Sequence, residues 1–431
     1  MEISVIGAGL AGCEAAWQLV KFGYNVNLYE MKPAKFSAAH KSENFAELVC
    51  SNSLKATRIG SAAGMLKEEM RLFGSLILQC AEKCSVGAGG ALAVDRELFS
   101  KEVTKRINDC DKINVIRKEI TKIPKGEVIV ATGPLTSDLL FENISGLLGK
   151  ENLFFYDAAS PIITADSIDM KKAFFASRYN KGDADYINCP MNKIEYELFY
   201  NQLILGESAH LHNFDKIKVY EGCMPIEVMA KRGKDTMRFG PLKPVGIFHP
   251  TTKEKYYAVL QLRKEDSKGT MYNMVGFQTN LKFSEQKRIF SLIPGLSNAE
   301  FVRYGVMHRN TFIDSPNLLD DRLRLLNNKK IRFAGQITGV EGYMESAACG
   351  IMSGIFLAEE LSQKPKLNLP NTTMIGSLLK YINDKNISDF QPMGANMGLL
   401  PPLGIKIKNK QERYETLAKR GLDDLKNMLN L

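Results

Sequence analysis

The feature that most constrains this chain is a glycine-rich turn close to its first residue. Gly7-Ala-Gly-Leu-Ala-Gly12 follows a short apolar run, residues 2–6, and precedes an apolar stretch with helical character that extends through Val20. A second strand-like run, residues 25–30, ends in Glu30. A strand, a glycine turn, a helix and a second strand ending in an acid form the dinucleotide-binding unit of a doubly wound α/β sheet.

Each part of this motif has a physical role in holding a dinucleotide. The first glycine permits the tight turn, the second lets the backbone approach a pyrophosphate, and the third lets the helix pack on the strand. The helix N-terminus favours the phosphates, and the acid accepts hydrogen bonds from a ribose diol. We therefore predict that the cofactor-binding residues include Gly7, Ala8, Gly9, Leu10, Ala11, Gly12 and Glu30.

Two later segments indicate which dinucleotide is bound. Residues 127–133 form an apolar strand pattern ending in Ala-Thr-Gly, and residues 330–335 form another, followed by an apolar helix pattern from Tyr343 to about Leu361. This order resembles the two-dinucleotide flavoprotein superfamily, which implies FAD; the alternative for the last segment is a core helix whose glycines only permit close packing. The resemblance adds the cofactor-binding candidates Thr132, Gly133, Gly335, Gly342 and Tyr343.

The distance between the Ala-Thr-Gly strand and the late strand predicts an inserted domain. Nearly two hundred residues separate them, which is too many for one crossover connection. We predict an α/β protein with a discontinuous Rossmann-like FAD-binding domain, residues 1–170 and 311–431, and an inserted α+β domain, residues 171–310. The strand-like runs expected in the insertion are Ile217–Tyr220, Tyr256–Leu262, Tyr272–Phe277 and Phe301–Val306.

Composition places the chain among globular proteins and excludes several classes. Hydrophobic residues make up 45% and charged residues 24%, and no apolar stretch is long enough for a transmembrane helix. The chain begins without the basic and apolar regions of a secretory signal, so we expect a cytoplasmic protein. The 57 Lys+Arg against 48 Asp+Glu give a net charge of +9, which permits a polyanionic partner without requiring one.

The eight cysteines are scattered, and two of them lie in unusual sequence. Only Cys80 and Cys84 are closely spaced and no further pair completes a zinc site, so we predict no metal. Cys50 follows the second strand by twenty residues, in a segment expected to loop over the cofactor. Cys223 lies in an irregular Gly-Cys-Met-Pro turn before a basic run, residues 231–234, that would stabilise a thiolate if it folded towards the sulfur. A buried structural thiol and a solvated basic loop are the respective alternatives.

A series of uncommon strings carries a more specific resemblance. In chain order they are GAGLAGCEAAWQL, LYEMKP, FAELVCSNSL, AGGALAVDRELF, VIVATGPL, YEGCMPIEVMAKRG, FGPLKPVG, RYGVMHRNTF and FAGQITGVEGYMESA. The chain resembles the folate- and flavin-dependent RNA uracil-5 methyltransferases from residue 1 to about residue 413. The resemblance implies a 5,10-methylenetetrahydrofolate donor, FAD reduced by NADH or NADPH, and an RNA uridine as acceptor.

This chemistry gives the two unusual cysteines expected roles. Uracil C5 is a poor nucleophile, and a thiolate that adds to C6 makes C5 able to attack a one-carbon electrophile. The family's two functional cysteines match Cys50 and Cys223 by motif. We assign Cys223 as the C6 nucleophile and Cys50 as the thiol beside the flavin, although the reverse assignment stays open. Tyr343 is the candidate for stacking near the isoalloxazine or pterin ring.

The RNA target and the overall activity retain alternatives. The family default is the T-loop uridine of tRNA, whereas one branch methylates a uridine of 23S ribosomal RNA. Lys406, Lys408, Lys410 and Arg413 are candidate phosphate contacts on an extended segment, with a solvated tail as the alternative. A flavin-dependent oxidoreductase of a small metabolite and a non-catalytic RNA-binding flavoprotein are the competing functions. The sequence does not determine the oligomeric state.

Overall fold

The structure is a computed structural model that describes residues 2–37, 39–149, 153–180, 183–209, 224–252, 254–388 and 390–431. The strands in these ranges are β1 (Ile3–Ile6), β2 (Val26–Glu30), β3 (Ser53–Ala56), β4 (Ser85–Val86), β5 (Ala91–Val94), β6 (Ile113–Arg117), β7 (Glu127–Val130), β8 (Leu153–Ala158), β9 (Ile162–Thr164), β10 (Phe174–Ala176), β11 (Tyr186–Met191), β12 (Ala258–Lys264), β13 (Met271–Met274), β14 (Phe301–Arg303), β15 (Met307–Phe312), β16 (Arg324–Leu325) and β17 (Asn328–Phe333). The α-helices are α1 (Leu10–Lys21), α2 (Ala62–Leu72), α3 (Leu76–Lys83), α4 (Arg96–Asn108), α5 (Asp138–Leu148), α6 (Lys193–Leu205), α7 (Ile226–Lys231), α8 (Phe283–Phe290), α9 (Ser315–Leu318), α10 (Tyr343–Ser362), α11 (Met374–Ile382) and α12 (Lys410–Leu429). Within these ranges no helix is both long and apolar enough to cross a membrane.

A six-stranded sheet in the order β16-β17-β7-β1-β2-β6 forms the first domain. Its neighbouring strands are parallel except for the β16–β17 pair, and β1 is buried along its whole length between β2 and β7. Because parallel strands end at one edge of the sheet, the turns after β1, β2, β7 and β17 meet at that edge. The predicted Rossmann-like fold is confirmed.

Helices α1 and α10 pack closely against each other because small residues form their contact. A Cβ added at Gly350 would overlap the backbone of Ala11, and one at Gly354 would lie 2.6 Å from the carbonyl oxygen of Ala15. Residues 344–359 of α10 are all buried. The apolar pattern after residue 343 therefore does form a core helix, and its first turn reaches the edge of the sheet where β1 ends.

A second six-stranded sheet, in the order β10-β11-β12-β13-β9-β14, is antiparallel throughout and has its own core. The chain enters this sheet through β8 and leaves it through β15, and these two strands pair with each other. The predicted runs near residues 256, 272 and 301 correspond to β12, β13 and β14, whereas Ile217–Tyr220 lies outside the described residues.

Strand β9 joins the second sheet from a position earlier in the chain than the predicted insertion. It pairs with both β13 and β14, so residues 162–164 are part of that sheet. These residues precede residue 171, where the sequence predicts the start of the inserted domain. The domain bounds themselves stay a prediction.

A buried carboxyl on α2 predicts a pH-dependent stability. Glu69 is fully buried and accepts hydrogen bonds from the backbone N–H groups of Met374 (2.6 Å) and Ile375 (2.8 Å) at the start of α11. Burial raises the pKa of Glu69 to about 8, and the two hydrogen bonds only partly oppose this. The folded state therefore holds a proton that the unfolded state releases near its ordinary pKa, and stability should fall as pH rises from about 5 to 8.

Glu69→Gln should remove this dependence, because glutamine keeps an acceptor oxygen and cannot ionise. Denaturant unfolding of the wild type and the variant at pH 5.5, 7 and 8.5 should give slopes that differ by up to about 1.4 kcal/mol per pH unit. Some slope should remain in the variant, because burial also raises the pKa of Glu14 to about 7. Glu97→Gln, an exposed change on α4, is the control, and equal slopes in all three proteins would contradict the prediction.

Candidate functional site

The glycine turn after β1 is closely packed at Gly7 and Gly12 but open at Gly9, the position expected to face a pyrophosphate. Gly7 has φ +98°, and its N–H donates to the carbonyl oxygen of Tyr29 at 2.8 Å. A Cβ at Gly12 would overlap the carbonyl oxygen of Gly7, whereas a Cβ at Gly9 would meet no protein atom within 4 Å. Helix α1 starts at this point with no side chain capping its first N–H groups. These features fit a dinucleotide pyrophosphate at the helix N-terminus.

The carboxylate of Glu30 is fixed beside this turn by backbone donors. The side chain is 7% exposed, one oxygen accepts from the N–H of Ala8 at 3.1 Å, and the other accepts from the N–H of Lys32 at 3.0 Å. The ammonium group of Lys32 donates to the carbonyl oxygen of Asn44 at 2.6 Å and lies 3.6 Å from Glu47. An oriented carboxylate at the end of β2 fits the ribose-binding role expected from the sequence.

A cleft, which we call the nucleotide cleft, runs along this edge of the sheet. Most of the predicted cofactor-binding residues line it: Gly7, Ala8, Gly9, Leu10, Ala11, Glu30, Thr132, Gly133 and Tyr343. Gly12 and Gly335 do not line it, since Gly12 packs on the turn and a Cβ at Gly335 would lie 2.6 Å from the side chain of Ala11. Gly342 lines a neighbouring cleft instead.

His40 also lines the nucleotide cleft, on the loop after β2. Its Nδ1 atom lies 2.6 Å from the hydroxyl of Ser37. Burial, with a further contribution from the charge on Lys32, lowers the pKa of His40. The imidazole is therefore neutral near pH 7 and offers an uncharged ring to whatever occupies this part of the cleft.

The neighbouring cleft contains Cys50, and we call it the thiol cleft. It shares Val49, Pro134, Leu135, Gln336 and Tyr343 with the nucleotide cleft, so the two spaces adjoin. The other described cysteines differ from Cys50 in this respect: Cys80 and Cys189 are buried in the two cores, where burial raises the pKa of each thiol to about 12. Cys223 lies outside the described residues.

Tyr343 ties Cys50 to the first turn of α10. Its hydroxyl oxygen accepts hydrogen bonds from the backbone N–H groups of Cys50 at 2.8 Å and Ser51 at 3.3 Å. Burial raises the pKa of Tyr343, so the hydroxyl keeps its own proton at neutral pH. The phenol ring lies where the two clefts meet, which is the position that the sequence suggested for a residue near the flavin or pterin ring.

Two arginines of the inserted sheet and one from α4 also hold the Cys50 loop. Arg96 donates to the carbonyl oxygens of Leu48 at 2.7 Å and Cys50 at 3.2 Å, and forms an ion pair with the buried Glu265. Arg303 donates to the carbonyl oxygen of Val49 at 2.5 Å. Arg263, on β12, donates to the side chains of Ser51 and Asn52. The loop that presents Cys50 is therefore fixed by both domains.

The basic segment near the C-terminus lies apart from both clefts. Lys406, Lys408 and Lys410 are exposed and Arg413 is half-buried, and neither cleft includes any of them. The segment was expected to be extended through Lys410, but α12 begins at that residue. The reason is a side-chain cap: Asn409 accepts from the N–H groups of the second and third helical residues.

Sequence analysis missed three polar residues of the thiol cleft: Gln278, Asn310 and Gln336. Asn310 and Gln336 lie inside the strings that carry the family resemblance, RYGVMHRNTF and FAGQITG. Those strings identify a family, but they do not reveal which side chains point towards a cavity. Gln278 had no signal in the sequence, since it follows β13 and lies outside all of the strings quoted above.

The sheet order, the glycine turn and the adjoining clefts define a dinucleotide-binding α/β protein with an inserted antiparallel domain. Two crystal forms of Aquifex aeolicus GidA have this fold: they superpose with TM-scores of 0.68 and 0.70 at 16% identity, covering 100% of this chain and 75% and 78% of the GidA chain. The family model described as glucose inhibited division protein A matches residues 2–365.

Curated relatives make the assignment more specific. A methylenetetrahydrofolate–tRNA-(uracil-5-)-methyltransferase, TrmFO, of Acetivibrio thermocellus is 57% identical over 98% of both chains. The enzymes of the same name from Halalkalibacterium halodurans and Listeria innocua are 55% and 56% identical, each over 99% of this chain and 98% of the relative. The chain belongs to the TrmFO family of folate- and FAD-dependent RNA uracil-5 methyltransferases.

Proposed function

We propose that this enzyme methylates C5 of a uridine in tRNA, with 5,10-methylenetetrahydrofolate as the carbon donor. The observation that most supports it is the continuity of the two clefts, because it lets a cofactor held by the β1 turn reach a space that contains a thiol. The relatives named above are all tRNA methyltransferases, which favours tRNA over the 23S ribosomal RNA that the sequence left open. Within tRNA, we propose the T-loop uridine.

Some residues of the two clefts are proposed to bind the cofactor, and others to surround the reacting centre. Bound FAD, once reduced by NADH or NADPH, would supply the hydride, and the folate would supply carbon at the oxidation level of formaldehyde. The turn at Gly9 and the carboxylate of Glu30 hold the dinucleotide. Val49, Pro134 and Leu135 give the passage between the clefts apolar walls that exclude water from the reacting centre.

The two cysteines are proposed to act at different stages. Cys223 adds to C6 of the uracil, which makes C5 nucleophilic, and it leaves again after the C5 proton has been removed. Cys50 stays beside the flavin, where Tyr343 and the arginines fix its backbone. The described chain resumes at Met224, and the N–H of Ile226 donates to the carbonyl oxygen of Gln278 in the thiol cleft at 2.7 Å.

The acceptor can be tested by direct competition. Equal amounts of an unmodified tRNA transcript and a 23S ribosomal RNA fragment are incubated together with enzyme, methylenetetrahydrofolate and NADH. Digestion and mass spectrometry then show which RNA contains 5-methyluridine. We expect the modified base in the tRNA T-loop, and its appearance only in the ribosomal fragment would overturn the proposal.

The basic segment leads to a prediction for RNA affinity. If Lys406 and Lys408 contact phosphates, Lys406→Glu/Lys408→Glu should weaken tRNA binding about tenfold at low salt and reduce the salt dependence by roughly one to two counterions. FAD content should not change, because neither lysine lines the nucleotide cleft. Lys171→Glu/Lys172→Glu, on an exposed loop of the inserted domain, changes the net charge equally and is the control. Equal tRNA affinities of the two variants would favour the alternative, in which the segment is a solvated tail that does not contact RNA.

A further inference from the structure

Two side-chain amides in the thiol cleft have no hydrogen-bond partner in the part of the chain that the structure describes. Asn310, on β15, is 4% exposed, and Gln278, after β13, is half-buried. Neither side-chain amide makes a hydrogen bond within the described residues. Neither is among the unpaired polar atoms that are completely buried in the protein, so both can be reached from the cleft. The buried amide of Asn52 contrasts with these two, since it donates to the carbonyl oxygens of Val94 (3.0 Å) and Lys264 (2.8 Å).

An unpaired amide at a nearly buried position is costly and points to a missing partner. Burying a polar group without a hydrogen bond costs about 1–3 kcal/mol, and most buried side-chain polar atoms are therefore paired. Asn310 and Gln278 line one cleft together with Cys50. The cleft is also lined by Tyr343, Val49 and Leu135, and by the charged residues Lys55, Glu341 and Glu345. Lys55 pairs with Glu345 at 2.7 Å, and Glu341 accepts a hydrogen bond from Gln336 at 2.6 Å, whereas the two amides have no such contact within the described residues.

The hydrogen-bonding pattern of these amides matches one class of ligand. A carboxamide offers an N–H donor and a carbonyl acceptor side by side. The Watson–Crick edge of uracil has an N3–H donor between two carbonyl acceptors, O2 and O4, so one amide can pair with N3–H and O4 and a second can pair with O2. Cytosine has an acceptor at N3 and an amino donor at C4, and it fits an unchanged pair of amides less well.

We propose that Asn310 and Gln278 bind the O4–N3–O2 edge of the target uracil in the thiol cleft and set the preference for uridine over cytidine. This inference rests on the proposed function and adds the residues that select the base. An enzyme that acts on a base in a folded RNA loop must extrude it and recognise its Watson–Crick edge in a pocket. The bound base would then lie beside Cys50, which lines the same cleft.

The isoalloxazine ring of FAD has the same imide edge, so the source of the ligand must be distinguished. Gly9 and Glu30 place the dinucleotide in the nucleotide cleft, and neither Asn310 nor Gln278 lines that cleft. The flavin ring would approach Cys50 through the passage that the two clefts share, whereas Asn310 and Gln278 line only the thiol cleft, which we assign to the base. Uracil is therefore the assigned partner, and the flavin becomes an outcome of the test.

The test uses Asn310→Asp and Asn310→Ala in the full-length enzyme loaded with FAD. Aspartate has the size of asparagine but lacks the amide donor, and neither change removes a hydrogen bond within the described residues. Dissociation constants are measured for two T-loop hairpins that differ only in a uridine or a cytidine at the target position. FAD per chain and the kcat/KM for the uridine hairpin are measured on the same samples.

We expect the wild type to bind the uridine hairpin more tightly, and both variants to lose about tenfold or more of this preference. The kcat/KM should fall about a hundredfold in Asn310→Asp, with FAD content and the KM for the folate unchanged. Gln278→Glu should show the same loss at the second position. Asn114→Asp, whose amide lies on the exposed edge of the first sheet beside Asn27, is the matched control and should behave as the wild type.

Four results would overturn the inference and point to different errors. An unchanged uridine preference in both Asn310 variants, with normal methylation by the wild type, would contradict base selection while leaving the proposed function intact. A lowered FAD content or altered flavin spectrum with an unchanged preference would assign the imide edge to the flavin. A raised KM for the folate alone would assign these residues to the pterin. If the wild type itself forms no 5-methyluridine, the proposed function fails and the inference fails with it.

Discussion

Cys223→Ala should lower 5-methyluridine formation by at least about a thousandfold, because the reaction then lacks the nucleophile that activates C5. The same change should abolish the covalent complex with a tRNA that contains 5-fluorouridine, since fluorine cannot leave C5 as a proton does and the adduct otherwise persists. Flavin binding should be unaffected, because none of the described residues between 171 and 310 lines the nucleotide cleft. Denaturing gels and the visible absorbance of the flavin measure the two effects.

The comparison with Cys50→Ala decides the assignment of the two thiols. Cys50 lies on the loop that Tyr343 and Arg96 fix beside the nucleotide cleft, so its removal should preserve RNA binding and alter the flavin spectrum. Cys110→Ala, at a half-buried cysteine that lines neither cleft, is the control. If Cys223→Ala still forms the fluorouridine adduct and Cys50→Ala loses it, the two roles must be exchanged.

Gly9→Val should yield a folded protein with little or no FAD. The wild type should bind about one FAD per chain through the glycine turn and the ribose-binding acid. A Cβ at residue 9 would meet no protein atom within 4 Å, so we expect the fold to tolerate the change. The valine side chain would occupy the space through which the backbone approaches the pyrophosphate. Absorbance of the purified protein and the flavin released on denaturation should show a loss of about tenfold or more.

The control for this variant is a second glycine with open space around it. A Cβ at Gly90 also meets no protein atom within 4 Å, and Gly90 lies outside the nucleotide cleft, so Gly90→Val should retain full flavin. Gly12→Val is unsuitable, because its side chain would overlap the turn and disturb the fold itself. A folded Gly9→Val protein with a full complement of FAD would contradict the assignment of the cleft.

The FAD-binding sheet could be predicted from sequence because its signals are local. Each of its motifs can be recognised from a few neighbouring residues: the turn at Gly7–Gly12, the acid at Glu30 and the Ala-Thr-Gly strand. The parallel sheet then brings these motifs to one edge. The inserted domain was less predictable. Strand β9 has only three residues and pairs with β13 more than a hundred residues later, so nothing in its own sequence identifies it as part of that sheet.

The thiol cleft shows the corresponding limit for the functional site. Cys50 could be recognised as a candidate from its surrounding string, but its contact with Tyr343 joins residues almost three hundred positions apart. Asn310 lies on strand β15, and the pattern of polar and apolar residues along this strand does not distinguish a structural amide from a ligand-binding one. Only its burial, its missing partner and its position beside Cys50 in one cavity make that distinction.

We propose that this enzyme transfers a one-carbon unit from folate to C5 of a tRNA uridine. The most direct test incubates the purified flavoprotein with unmodified tRNA transcript, NADH and methylenetetrahydrofolate that is isotopically labelled in the methylene group, followed by mass spectrometry of the nucleosides. We expect 5-methyluridine that contains the label, and no 5-methyluridine when the folate is omitted. Full turnover of NADH with no labelled 5-methyluridine would contradict it and would favour a flavin-dependent oxidoreductase instead.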